Sequence, residues 1–148
     1  MKRLVKLICV ILAMTIFATV SVSAEAEIDV RASDFFAATS TYIYQTTDAK
    51  FQVWFDLVGV NIMDEIGASS IKVQRSADGA NWTTMFTYLP QYYPQMLDYN
   101  TSSYGAYVPY HGTAGYYYRA IVTFYAARGN GMGKLDRLTQ TVYLQPSN

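Results

Sequence analysis

The segment Ile71-Lys72-Val73-Gln74-Arg75-Ser76-Ala77-Asp78-Gly79-Ala80-Asn81-Trp82-Thr83-Thr84-Met85 constrains the fold more than any other part of the chain. It sets two alternating runs on either side of Asp78-Gly79, with a tryptophan arriving just after the turn. Asp and Gly both tolerate positive φ, which a tight hairpin requires. Such a hairpin marks a β-sandwich type of module, and these modules carry many unrelated functions. The turn predicts a fold class; function has to be argued from other residues.

Nearly every periodic segment after the N-terminus has the period of a strand. Glu27 to Arg31 reads as a short first edge strand, and Phe36 to Tyr44 is rich in the Thr, Tyr and Ile that fit a pleated surface. In Lys50 to Val58, Phe51, Val53, Phe55 and Leu57 share one face, while Gln52, Trp54 and Asp56 occupy the other. Asn61 to Ala68 breaks that period and reads as a polar loop with Met63 and Ile66 tucked in. Trp82 to Tyr88 is the return strand of the hairpin. Leu89 to Thr113, with Pro90, Pro94, Pro109, Gly105 and Gly112, reads as an irregular connection holding one short strand around Tyr104 to Val108. Tyr116 to Ala126 is the longest strand candidate, Arg128 to Gly133 a flexible turn, and Leu138 to Leu144 the closing strand. About seven strands without a long helix predict an all-β, antiparallel sandwich.

The first 24 residues have the pattern of a secretion signal. Lys2, Arg3 and Lys6 precede an apolar run from Leu7 to Val20, and Val22-Ser23-Ala24 supplies small residues at a processing site. The run falls short of the roughly 20 residues a membrane span needs. Residues 1–24 are therefore expected to be removed, leaving 25–148 as a single β-sandwich domain that is secreted and extracellular. The single cysteine, Cys9, leaves with the signal, so the mature chain has no thiol for a disulfide, a lipid or a metal. The remaining 124 residues suffice for one hydrophobic core. The whole chain has 11 basic and 11 acidic residues. Removal of the three basic signal residues leaves the rest formally at −3, without a basic patch. Nucleic acid and anionic membrane surfaces are poor partners for such a chain.

Gly112-Thr113-Ala114-Gly115-Tyr116-Tyr117-Tyr118-Arg119-Ala120-Ile121-Val122 resembles the penultimate strand of fibronectin type III domains, where "G-T-x-Y" leads into alternating small and apolar residues. The likeness continues through Leu144 and implies an immunoglobulin-like or fibronectin type III-like sandwich. The chain also resembles a family of small exported bacterial proteins with no assigned activity. That resemblance rests on Arg31-Ala32-Ser33-Asp34-Phe35-Phe36, Ile66-Gly67-Ala68, the Ser76 to Trp82 hairpin, and Tyr118-Arg119-Ala120. It implies an export route and a fold, and no reaction. Sialidase-type Asp boxes have Ser-x-Asp-x-Gly-x-Thr-Trp; here Asp78 and Gly79 are adjacent and the motif does not repeat.

Catalysis has little to work with in this composition. One histidine, His111, and no mature cysteine cannot build a typical zinc site or a Cys-His pair. Asp64-Glu65 is the only pair of neighbouring carboxylates beyond the N-terminal segment, and reads as solvated loop charge rather than a glycosidase pair. No catalytic residue, metal site or cofactor is expected. Tyrosine is the remaining signal: ten of the 14 lie between Tyr88 and Tyr118. Tyr offers large contact area at small entropic cost, although a long loop also needs rings for its own packing. Tyr92, Tyr93, Tyr99, Tyr104 and Tyr107 are the candidate ligand-binding residues. The first expectation is a non-enzymatic secreted domain that binds an unidentified protein or glycan, or serves as an accessory cell-surface component. The alternative is a carbohydrate-binding module in which exposed Tyr, with Trp54 or Trp82, stacks on sugar rings.

Overall fold

Residues 34–47 and 49–146 are described by a computed structural model, and they form seven strands, all paired antiparallel, and one short 3-10 turn. The strands are β1 (Phe36–Thr47), β2 (Lys50–Ser76), β3 (Thr83–Tyr88), β4 (Leu97–His111), β5 (Tyr117–Arg128), β6 (Gly131–Leu138) and β7 (Val142–Tyr143). The 3-10 turn is Pro94–Met96. The signal segment and the edge strand expected over Glu27 to Arg31 lie outside the described residues. Among the described residues, no helix is long and apolar enough to cross a membrane.

β2 organises everything else. At 27 residues it is several times the usual strand length, and it belongs to two layers in turn. Its first part, through Gly59, lies between β1 and β4. Its second part has β5 on one side and, on the other, β4 over Met63 to Gly67 and then β3 over Ile71 to Arg75, with β6 beyond β5 and β7 pairing the start of β5. Between Val58 and Met63 the register with β4 slips and pairing with β1 has ended, so β2 changes layer there. The all-β, antiparallel expectation holds, and the connected sheet folds into a sandwich-like arrangement.

The core sits between the layers because both halves of β2 alternate. Phe51, Val53, Phe55 and Leu57 come from the first half, and Ile71 and Val73 from the second. Ala120, Val122, Phe124 and Ala126 of β5 complete it. The rings of Phe55 and Phe124 meet edge-on at 6.5 Å, and those of Phe51 and Tyr118 pack tilted at 5.3 Å. Each such side chain contributes about 1.5–3 kcal/mol by leaving water. Tyr118 is buried, and its hydroxyl accepts from the Thr113 N–H at 2.7 Å, five residues upstream in the manner of a tyrosine corner. The outer edge of β1 is closed at one residue by a side chain. Gln140 Oε1 accepts from the Ile43 N–H at 3.2 Å, and its Nε2 donates to the Ile43 carbonyl at 2.9 Å.

Four boundaries differ from the sequence reading, each for a local reason. Asn61 to Ala68 is strand rather than loop, because shifts near Met63 and Ala68 change the phase while keeping Met63, Ile66 and Ala68 buried. β4 runs 15 residues, far beyond the short strand expected, with Tyr, Gly and Ser on a pleat that β2 alone pairs. Pro109 is tolerated there because edge strands need not donate on both sides. The glycine-rich run after Arg128 is mostly β6, since Gly131 and Gly133 make room for the Phe35 ring; a Cβ on either would come within 2.9 Å of it. The closing strand over Leu138 to Leu144 shrinks to two residues, and Thr139 substitutes for a strand partner by accepting from the Ala120 N–H at 2.9 Å.

Candidate functional site

The hairpin turn that dominates the sequence is a self-contained structure. It spans six residues between β2 and β3 rather than two, and Gly79 (φ +75°), not Asp78, takes the positive φ. Asp78 instead accepts hydrogen bonds from the Ala80 and Asn81 backbone N–H groups (2.9 and 2.8 Å), the Asn81 side chain (2.7 Å) and the Ser76 hydroxyl (2.8 Å). These bonds, led by the Asn81 backbone N–H, hold its carboxyl well below the usual carboxylate range. Trp82 packs under a cation: the Arg119 guanidinium lies 4.1 Å from its ring centroid, and Arg119 Nε donates to Gln74 Oε1 at 2.8 Å.

The outer face of the β1–β2–β4 layer is different. Burying Phe51, Val53, Phe55 and Leu57 forces Gln52, Trp54 and Asp56 of the same strand outward. The register then sets Tyr42 of β1 and Tyr107 of β4 directly opposite Trp54. Tyr42 and Trp54 are parallel to within 3°, with centroids 6.1 Å apart; Trp54 and Tyr107 are 4.7 Å apart. Trp54 Nε1 donates to Gln52 Oε1 at 3.0 Å, which fixes the indole. Tyr42 is 41% exposed and Tyr107 40%, so this row of three rings remains open to solvent.

Two residues along each strand, the side chains become small. Ser40, Asp56 and Gly105 form one cross-strand row, and Ala38, Val58 and Ser103 the next. Together they leave a trough of about 460 Å³ beside the aromatic row. The Asp56 carboxylate lies over Gly105, where a Cβ would overlap it. A pleated face normally carries side chains that fill this space. The missing side chain at Gly105 gives the carboxylate its place in the trough.

The five tyrosines expected as one binding set do not share one surface. Tyr107 is a member of the aromatic row. Tyr92 is exposed in the loop after β3, and Tyr99 is exposed eight residues before Tyr107, opposite Glu65. Tyr93 packs on Tyr88 with ring centroids 4.7 Å apart, so it orders the loop. Tyr104 does the same: its ring stands edge-on to Phe55 at 6.2 Å and its hydroxyl donates to the Gln95 carbonyl at 2.6 Å. Burial, and then Asp98, push the Tyr104 hydroxyl pKa up, and burial raises that of Tyr88 strongly. Tyr42, Asp56 and Gly105 were not singled out by sequence reasoning. The usable signal was alternation, since Tyr42 precedes the inward Ile43 just as Trp54 lies between inward Val53 and Phe55.

The remaining ionisable candidates are dispersed. His111 is exposed at the end of β4, opposite Lys50. Asp64 accepts from the Gly129 N–H at 2.7 Å, and Glu65 raises the Tyr125 hydroxyl pKa after burial has done so. Asp64 and Glu65 lie on β2 and not in a loop. Among the described residues there is no cluster of three or more His, Cys, Asp or Glu that could hold a metal ion.

No protein-family model matches the chain, and no curated protein matches it. Among solved structures it is similar to a family 76 glycoside hydrolase from a bovine Bacteroides thetaiotaomicron strain, at 14% identity and a TM-score of 0.32. The likeness covers 74% of this chain and 20% of that one, and at that score it carries no argument about fold or function.

Proposed function

We propose that this protein is a non-enzymatic binding domain that holds carbohydrate against the Tyr42–Trp54–Tyr107 row. The observation that carries the reading is three adjacent, solvent-facing rings beside a trough floored by small residues. The C–H faces of a sugar ring pack on aromatic faces, whose quadrupole is negative. Sugar hydroxyls then need a few placed polar partners to fix orientation. Asp56 and Ser40 supply these in the trough, and Gln52 flanks Trp54 on the other side. Glycoside hydrolysis employs a pair of carboxyl groups, whereas Asp56 is the one carboxyl among the trough-lining residues. The reading proposed for the trough is binding without turnover. The reading includes export, on the strength of the N-terminal signal pattern, so that the ligand is met outside the cell.

A glycan array followed by titration of each hit, read by tryptophan fluorescence, tests this function. A saturable hit that Trp54→Ala removes is the expected result; an array without any saturable hit sinks the reading. A second reading keeps Tyr92 and Tyr99 as a protein-contact surface, because they are 72% and 59% exposed. It predicts that a Tyr92→Ala/Tyr99→Ala variant loses a partner in pull-downs that wild type retains.

A further inference from the structure

We infer that the ligand is an internal stretch of a linear, uncharged polysaccharide lying across the three strands, an inference that rests on the carbohydrate reading above. Direction comes from the register. The aromatic row and both rows of small residues each cross β1, β2 and β4 at right angles to the strands, so wall and trough run in parallel. Among the described residues, β1 and β4 each pair with β2 alone, so none of these strands walls off either end of the trough. A groove open at both ends accepts the middle of a chain, where a closed pocket would select a terminus.

The charge preference comes from Asp56. It is the only ionisable acid or base among the trough-lining residues apart from the Tyr104 phenol, whose hydroxyl is already engaged with Gln95. Its carboxylate lies over Gly105 within the trough, so an acidic sugar there would meet a like charge at short range. Cations are present elsewhere. Arg137 donates at 3.4 Å to the hydroxyl of Thr39, a residue that lines the trough, but Thr39 alternates with Ser40, so that hydroxyl belongs to the opposite face of β1 from Ser40 and Asp56. Lys50 shares the outward face of β2 but lies six residues from Asp56, at the start of the strand opposite His111, and Lys72, Arg119 and Lys134 belong to the layer of β3, β5 and β6. A carboxylate acceptor without a nearby base suits hydroxyl donors and disfavours uronate or sulfate groups.

Affinity electrophoresis with matched polymers tests this. Hydroxyethylcellulose, xyloglucan and galactomannan form the neutral set; carboxymethylcellulose, polygalacturonate and alginate form the acidic set. Retardation by at least one neutral polymer and by none of the acidic ones is expected, with affinity rising from the disaccharide to the hexasaccharide of the same backbone. Asp56→Asn should gain measurable retardation by the carboxymethylated derivative of that polymer, a tightening of about tenfold or more, the scale of one relieved like-charge contact near a surface. Equal or stronger retardation by the acidic set overturns the inference while leaving the carbohydrate reading standing. So does a monosaccharide that binds as well as the hexasaccharide, or an Asp56→Asn variant unchanged on the carboxymethylated polymer. No retardation by any polymer, together with an empty glycan array, overturns both.

Discussion

The two tryptophans of this chain occupy opposite layers and differ in what covers their rings. Both are partly exposed and each stands on or beside β2. Trp82 is covered: Arg119 lies on its ring, and Gln74 holds Arg119 in place. A cation on an indole contributes about 0.5–1 kcal/mol at an exposed position and occupies the face a ligand would use. Trp54 has aromatic neighbours on both sides and no cation, and a trough opens beside it. Exposure alone therefore does not identify a binding ring. What the neighbouring strands place on the ring decides whether it is available.

Four perturbations probe that contrast, in decreasing order of effect. Replacing both Tyr42 and Tyr107 by Ala should weaken glycan binding about 100-fold by calorimetry, since the central anchors of an interface carry most of its energy. The fold should survive, because both rings are 40% or more exposed. Gly105→Ala should cost about tenfold in affinity. The new methyl would displace the Asp56 carboxylate from the trough, with little change in melting temperature. Arg119→Ala should destabilise by about 1 kcal/mol in urea titrations, through loss of its indole and amide contacts, and leave glycan affinity within twofold. If Arg119→Ala instead creates a second glycan site, uncovering Trp82 was enough and the trough is dispensable.

The fourth concerns the hairpin turn. Asp78 has a folded pKa below its unfolded value. Its stabilising contribution is therefore fully present above the ordinary carboxylate pKa of about 4 and lost as pH falls through the lower folded value. Melting temperature should fall on acidification below pH 4, and Asp78→Asn should remove that part of the acid dependence. Glycan affinity of Asp78→Asn at neutral pH should match wild type, since the turn belongs to the Trp82 side.

Much of the fold was readable wherever alternation was uninterrupted. Phe51 to Leu57 showed both the core face and the outward Trp54 and Asp56, and Tyr118 to Ala126 showed the inward set of β5. Alternation failed at register shifts, because a bulge inverts which parity faces inward; this is why β2 past Asn61 looked like loop. It also failed in β4 and β6, where Gly and Ser satisfy steric needs set by residues far away in sequence. Phe35 requires Gly133, and Asp56 overlies Gly105. The site suffered most from this limit. Trp54 was visible from its own strand, but the row exists only through pairing with Tyr42 and Tyr107 across 12 and 53 residues of sequence. Clustering of tyrosines along the chain pointed to the loop instead, where Tyr93 and Tyr104 turn out to pack against Tyr88 and Phe55.

Whether Trp54 is the binding ring is decided most cleanly by a pair of fluorescence titrations against the best-binding neutral oligosaccharide, one on Trp54→Ala and one on Trp82→Ala. Each variant retains a single tryptophan. The Trp82→Ala protein should show a saturable change with wild-type affinity, because Trp54 reports the bound sugar. The Trp54→Ala protein should show none, and calorimetry on the same sample should find no binding. Wild-type affinity in Trp54→Ala would contradict the account and move the binding surface away from the aromatic row.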